Sequence, residues 1–312
     1  MPIMLHVEPG KECTWDDFRK KKPPYSIALD GFVDDSTARD LSGPYANFDH
    51  HRGSDSIGTR STCEQVHLAI TTGLFDLFKK DGEPHAHVFV NHPDADSTLS
   101  WWELKNHELV TGDPKISISR LSYFEDMLDC TSGDYPFEET HMIRKIAWIF
   151  EPYNNARVKG ELDHISGDEM RALIECIGYR IDDYVVGKEK ELSLEGHYEI
   201  IGGGPGWKMT KETGPASRIA MHHDGIRAYV TLLSEKDGWY FYAMGRSPWI
   251  EFPLPALYQK FNEIEKGIVT ESNKWNGGDN RGGPPKLTGS RLPPKKLEEI
   301  INSEMLKIRG GK

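Results

Sequence analysis

Along the first half of the chain, short apolar runs alternate with helical patterns, the texture of a parallel sheet interleaved with helices. Tyr25-Ser-Ile-Ala-Leu29 reads as a buried strand that ends at Asp30-Gly31. Ser61-x-x-Glu64 has the form of a capping box. Beyond it Val66, Ala69, Ile70, Gly73, Leu74 and Leu77 keep helical spacing. Gly82-Glu-Pro84 marks a turn, and Ala86–Val90 is a second strand that stops just before His92-Pro-Asp-Ala-Asp96. Ser97 is placed to cap the helix that follows. Two more helices are expected. One lies around 138–151, from Met142, Ile146, Ile149 and Phe150; the other lies around 168–186, from Met170, Leu173, Ile174, Ile177, Ile181 and Val185.

After Gly187 the pattern changes. Residues 188–195 are charged, as suits a hinge between lobes. Strands are expected at 198–201, 226–233 and 239–244, and a helix near 255–266 carries Leu257, Phe261 and Ile264. A Gly/Pro-rich segment, 276–285, leads to a last helix with Pro294 near its first position. The expected class is therefore α/β. A Rossmann-like, parallel-sheet domain over 1–189 precedes a smaller α+β domain over 190–312, with the active site in the cleft between them. A chain of 312 residues is long for one domain, which agrees with two.

Composition narrows the function classes. At 37% hydrophobic and 28% charged, with no apolar run long enough to span a bilayer, the chain reads as a globular protein without a membrane partner. The charged N-terminus lacks a signal-peptide core. Cys13, Cys63, Cys130 and Cys176 are scattered with no CxxC pair, so neither a disulfide framework nor a cysteine zinc site is indicated. A reducing, cytoplasmic setting is expected. A net charge of −11 argues against coating long duplex nucleic acid, yet admits a small phosphorylated substrate at a local site. Residues 276–312 are locally basic, with eight Lys/Arg against four Asp/Glu.

Acidic and histidine clusters sit where predicted strands end or helices begin, the places where open α/β sheets gather ligands. They are Asp30, the Asp49-His50-His51 triplet, His92-Pro-Asp94-Ala-Asp96, and Asp129 in Leu-Asp-Cys-Thr-Ser-Gly133. Hard divalent cations need several carboxylates, and imidazole shifts the preference toward manganese, iron or zinc over calcium. Each cluster alone has an ordinary reading. Asp30-Gly31 is a common turn, Asp-x-Asp suits a loop, and paired histidines are usually solvated. Four such clusters, each tied to a buried apolar run, favour a metal site.

Phe-Asp-His-His, followed by a Ser-Thr-x-Glu-x-Val helix start, resembles the third motif of the DHH phosphoesterase superfamily. His-Pro-Asp-Ala-Asp-Ser is similar to its first motif, Asp30 to its second and Asp129 to its fourth, with Asp126 and Asp134 the other carboxylates available for that place. The motif order is thus two, three, one, four, as in a circular permutation, which open sheets tolerate at surface connections. The family's first-motif histidine usually stands four positions before the first aspartate, which here is Val90, so His92 must take its place.

The resemblance implies a two-metal hydrolase. One ion would be held by His92, Asp94 and Asp30, and the other by Asp96, His50, Asp129 and a shared Asp30. Asp49 would orient the imidazoles, and His51 would touch the substrate phosphoryl group. The ions would be Mn2+, with Mg2+, Fe2+, Co2+ or Zn2+ as alternatives, and a bridging hydroxide would attack the phosphoester of a short nucleotide or oligonucleotide. The second lobe would bind substrate through His223, Arg281, Gly282, Gly283, Ser290 and Arg291, and a homodimer remains open. Two alternatives stay beside this reading: a two-metal hydrolase of a non-phosphate small molecule, and a non-catalytic ligand-binding member of the same fold. Gly202–Gly206 is read as a flexible loop, since Trp207 and Pro205 break a nucleotide-binding glycine pattern. Trp207, Trp239, Trp249 and Trp275 read mainly as core.

Overall fold

The computed structural model describes residues 3–51, 58–113, 115–131, 133, 135, 137, 140–194, 196–212, 217–271, 273–285 and 287–310. The chain forms a mixed α/β protein of two compact units. Met1–Cys130 and Glu138–Ser193 make the first; Thr131–Phe137 and Leu194–Lys312 make the second.

The first unit opens with β1 (Ile3–Val7), α1 (Trp15–Lys21), β2 (Ser26–Leu29), β3 (Ala38–Asp40) and β4 (Tyr45–Phe48). Then come α2 (Thr62–Thr71), α3 (Leu74–Leu77), the short hairpin β5 (Lys79–Lys80) and β6 (Glu83–Pro84), and β7 (Ala86–Val90). Helices α4 (Ala95–Lys105), α5 (His107–Thr111), α6 (Lys115–Cys130), α7 (Thr140–Ile149), α8 (Glu151–Val158) and α9 (Gly167–Val185) complete it. The main sheet has the order β1-β7-β2-β4-β3. β1, β7, β2 and β4 are mutually parallel, and only the edge strand β3 is antiparallel. Every residue of β2 is buried. A central parallel strand is covered on both faces, which is why Ser26-Ile-Ala-Leu29 shows an unbroken small-and-apolar run rather than alternation.

Helix ends depart from the sequence expectation in an informative way. The Ser61/Glu64 capping box does not form: the Ser61 side chain makes no cap bond, and Glu64 accepts from Arg60. Instead, the Thr62 and Cys63 N–H groups donate to the Asp96 carboxylate, and the Ser61 N–H to Asp126. Buried carboxylates have outcompeted the local serine, because charged acceptors bind the helix's free N–H groups more strongly. Likewise α4 is capped by Asp94, which accepts from the Ser97 N–H at 3.0 Å, so Ser97 lies inside the helix. Gly73, at φ +100, ends the helical run that the apolar spacing carried on to Leu77. A capping box does form at Ser166/Glu169, opening α9.

The second unit contains β8 (Tyr198–Gly204), β9 (Trp207–Glu212), α10 (Ser217–His223), β10 (Ala228–Lys236) and β11 (Trp239–Arg246). After them come α11 (Leu254–Ile264), β12 (Asn276–Gly277), β13 (Arg281–Gly283) and α12 (Pro294–Gly310). Its sheet runs β12-β13-β11-β10-β9-β8, with β9 and β10 parallel and the other pairs antiparallel. The core gathers Trp207, Met209, Val230, Met244, Phe261, Trp275 and Ile301. Trp207 and Trp275 are thus core, whereas Trp249 is 87% exposed. The glycine run expected as a flexible loop is instead the end of β8 in a tight hairpin with β9. Among the described residues, no helix is long and apolar enough to cross a membrane.

Candidate metal centre

β4, β2 and β7 are adjacent and parallel, so their carboxyl ends open along one edge of the sheet. Asp30 follows β2, Asp49-His50-His51 follows β4, and Asp94 and Asp96 lie just past β7. Topology alone brings together residues far apart in sequence. Asp30 has φ +48, a left-handed conformation that aspartate tolerates better than most residues, and its N–H donates to the Phe48 carbonyl at 2.9 Å.

The side chains converge on His50. Its Nε2 lies 2.9 Å from Asp129 Oδ2, 3.5 Å from Asp96 Oδ2 and 3.6 Å from Asp30 Oδ1. His51 Nδ1 lies 2.9 Å from Asp49 Oδ1 and 3.4 Å from the same Asp30 oxygen. Asp30, His50 and His51 form one triplet of ligand atoms within 4.8 Å of one another, and His50, Asp96 and Asp129 form another. His50 belongs to both. His92 Nδ1 sits 3.0 Å from Asp94 Oδ2, but these two belong to neither triplet. Asp94 and Asp30 are nevertheless bridged by Ser97, whose N–H donates to Asp94 and whose hydroxyl donates to Asp30 Oδ2 at 3.2 Å.

Asp129 sits in the last turn of α6 rather than in a loop after a strand. A carboxylate there meets the negative end of the helix dipole, a placement that favours a nearby cation. The nearby carboxylate Asp126 has a different task. It is buried and accepts the Ser61 N–H at 2.6 Å, which ties α6 to the start of α2. Asp134 lies outside the described residues.

The electrostatics show an excess of negative charge. Burial, with Asp94 and Asp96 nearby, pushes the Asp30 carboxyl well above its ordinary value. Burial and Asp129 raise Asp96 to about 6. Burial alone would lower the pKa of His50, yet contact with Asp129, with help from Cys130 and Asp96, pushes it up to about 12. The hydrogen bond to Asp49 lifts His51 to about 9 against its burial. Burial works to raise Asp94 as well, but His92 and Ser97 hold it down at about 2. In this field protons are held wherever positive charge is scarce. Asp49 Oδ2 is also buried without a hydrogen-bond partner among the described residues. A cluster of aspartates and imidazoles with a buried oxygen to spare fits divalent cations of the manganese–zinc group.

Several contributors escaped sequence reasoning. Thr62 donates to Asp30 Oδ1 at 3.0 Å, but its helix-start position signalled capping rather than a site. Glu125 is buried one helical turn before Asp129, and burial together with Asp129 and Asp96 raises its carboxyl well above the usual range. Tyr153 on α8 stands with its ring edge-on to His92, centroids 5.7 Å apart. Behind the cluster, His67 Nδ1 meets Glu103 Oε1 at 3.0 Å and His67 Nε2 meets Ser119 Oγ at 3.0 Å. That buried chain stitches together α2, α4 and α6, the helices that hold the Asp96 and Asp129 side. In sequence, no motif around any of these residues marks it as part of a site.

Within the second unit, the expected substrate residues have their own local bonds. Ser290 is fully buried and its hydroxyl donates to Glu265, so it cannot meet a ligand from solvent; the glycine-rich context misled because the serine serves packing. Arg291 donates to the Asp237 and Gly238 carbonyls and stacks on Trp239 at 3.9 Å. Gly282 and Gly283 are required sterically: a Cβ at Gly282 would collide with the Tyr258 hydroxyl and the Asn276 carbonyl, and one at Gly283 would crowd the Tyr242 carbonyl. Arg281 donates to the Tyr229 hydroxyl at 3.2 Å, and His223 is exposed at the end of α10.

Neither a scan against models of known protein families nor a search of curated proteins finds a match for this chain.

Proposed function

We propose that the chain is a cytoplasmic, metal-dependent phosphoesterase of the DHH type. Its substrate would be a short nucleotide or oligonucleotide, hydrolysed at two divalent ions of the manganese class on a Rossmann-like unit. The observation that carries the reading is His50 Nε2, within 3.6 Å of carboxylates from three separate elements: Asp30 after β2, Asp96 on α4 and Asp129 on α6. His50, Asp96 and Asp129 would hold one ion, and His92 and Asp94 the other, with Asp30 between them. When bound, the cations supply Lewis acidity, which lowers the pKa of water and offsets charge on a phosphoryl oxygen.

The protein's own groups set the rest. Asp49 fixes the ring of His51 through Nδ1 and holds its proton, which leaves Nε2 for a phosphoryl oxygen. The His51 side chain is 54% exposed and so accessible to a substrate, while Asp30 and Asp49 behind it are buried. Ser97 and Thr62 keep both oxygens of Asp30 in place.

The test is hydrolysis of bis-p-nitrophenyl phosphate and of short oligoribonucleotides by manganese-loaded protein, with chelator-treated protein and Asp30→Asn as controls. Turnover is expected with metal and lost in both controls. Metal-replete protein that cleaves no phosphoester in the panel would refute the reading.

A further inference from the structure

Helix α8 lies beside the centre and carries two side chains that the expected ligand sets do not use. Tyr153 packs edge-on against His92, and the Arg157 guanidinium, four residues later, stands 5.8 Å from the same tyrosine ring. An i,i+4 pair shares one helix face, so Arg157 stands one aromatic ring beyond the His92–Asp94 pair. Arg157 is exposed, and no ion pair of its guanidinium occurs among the described residues. Arg180, on α9, is committed to Glu151 and the Trp148 carbonyl.

We infer that Arg157 is the anion anchor of the first unit, contacting non-bridging oxygens of a phosphoryl group, with Tyr153 the positioning residue that supports its guanidinium and the ring of His92. The inference rests on the phosphoesterase reading for its substrate but not for its binding chemistry.

Two considerations carry it. Asp30, Asp94, Asp96 and Asp129 would repel a phosphoester, and the chain as a whole is at −11, so an entering anion needs fixed positive charge beyond that of the ions. A guanidinium presents a planar fork matched to two phosphoryl oxygens, which a lysine does not.

The experiment measures inorganic phosphate binding to manganese-loaded protein by calorimetry, beside KM and kcat on a phosphodiester. Arg157→Ala should weaken phosphate binding and raise KM about tenfold or more, the usual worth of a charged hydrogen bond, with manganese content unchanged. Arg157→Lys should recover only part. Tyr153→Phe, which keeps the ring, should bind phosphate as wild type does, while Tyr153→Leu should weaken it. If the wild type binds phosphate but cleaves nothing, and Arg157→Ala loses that binding, the anchor stands although the phosphoesterase reading fails. Unchanged phosphate binding in a folded, manganese-loaded Arg157→Ala overturns the anchor. So does a wild type that binds no phosphate.

Discussion

Two carboxylates on α6, three residues apart, give opposite predictions when truncated. Asp126 is buried and accepts the Ser61 N–H at 2.6 Å, with Arg60 at 3.7 Å. In Asp126→Ala, that N–H at the start of α2 loses its acceptor in a site that water does not reach. A buried unsatisfied donor costs about 1–3 kcal/mol, and loss of negative charge at a helix N-terminus adds about 0.3–1 kcal/mol. Relief of repulsion on Glu64 and Glu125, which Asp126 helps to raise, offsets part of this. A net loss of about 2 kcal/mol should lower the melting temperature by roughly 4–8 °C for a unit of this size.

Asp129 should behave in the reverse way. Its side chain is 37% exposed, its ion pair with His50 is open to solvent screening, and it lies at the unfavourable end of the helix dipole. Asp129→Ala should change the melting temperature of metal-free protein by no more than about 2–4 °C, within roughly 1 kcal/mol. It should also remove the anchor of His50 and with it one equivalent of manganese. Melts with chelator and with manganese, together with metal analysis of the dialysed protein, separate the two. If Asp126→Ala lost manganese without a fall in metal-free stability, or if Asp129→Ala kept its full complement, the assignment of ligand and cap would be reversed.

Asp30→Asn should stabilise metal-free protein at neutral pH while abolishing manganese binding and turnover, because burial beside Asp94 and Asp96 penalises its charge and the Thr62 and Ser97 hydroxyls can rotate to suit an amide; a less stable metal-free variant would contradict this. Glu103 is fully buried and raised to about 7 by that burial, against His67. A raised pKa stabilises the fold fully below the unfolded value of 4.5, and the contribution is lost as pH climbs toward 7. Wild type should therefore lose stability relative to Glu103→Gln across that window, and a pH-independent difference in their denaturation midpoints would dismiss the effect. Gly282→Ala should cost about 1–3 kcal/mol by overpacking against Tyr258 and Asn276. An unchanged urea midpoint would show that this strand has room to move.

Two strands were legible: Ser26–Leu29 and Ala86–Val90 form where the pattern placed them, because every one of their residues except His87 is buried and the apolar positions are nearly continuous. The long helix α6 was not. Polar Ser117, Ser119 and Ser122 fall among its apolar positions, and burial of Ser122, Glu125 and Asp126 blurs the amphipathic stripe. Strand β9 was hidden by Lys208, Lys211 and Glu212, whose inward neighbours Trp207, Met209 and Thr210 only a folded partner reveals. The Asp49-His50-His51 and Asp94/Asp96 clusters stood out because charged residues rarely follow apolar runs without purpose. Tyr153 and Arg157 did not, since nothing in their own helix distinguishes them from solvated side chains.

Asp96 shows why site and scaffold cannot be divided between separate residues here. Both its oxygens accept N–H groups from the first turn of α2, at 2.7 and 2.6 Å, and one of them also lies 3.5 Å from His50 Nε2. Each carboxylate oxygen has two lone pairs, so the same atom can hold a helix end and still face a cation. The helix N-terminus in turn supplies partial positive charge that keeps a buried, crowded carboxylate tolerable without metal. Charge at the cluster and the docking of α2 on α4 are therefore coupled. Asp96→Ala should loosen α2 as well as empty the site, whereas Asp96→Asn keeps one of the two N–H bonds and should lose metal with less damage to the helix. Amide exchange at Thr62 and Cys63 would read that difference directly. Equal protection in both variants would mean that α2 is held by packing alone and that the carboxylate serves the cluster only.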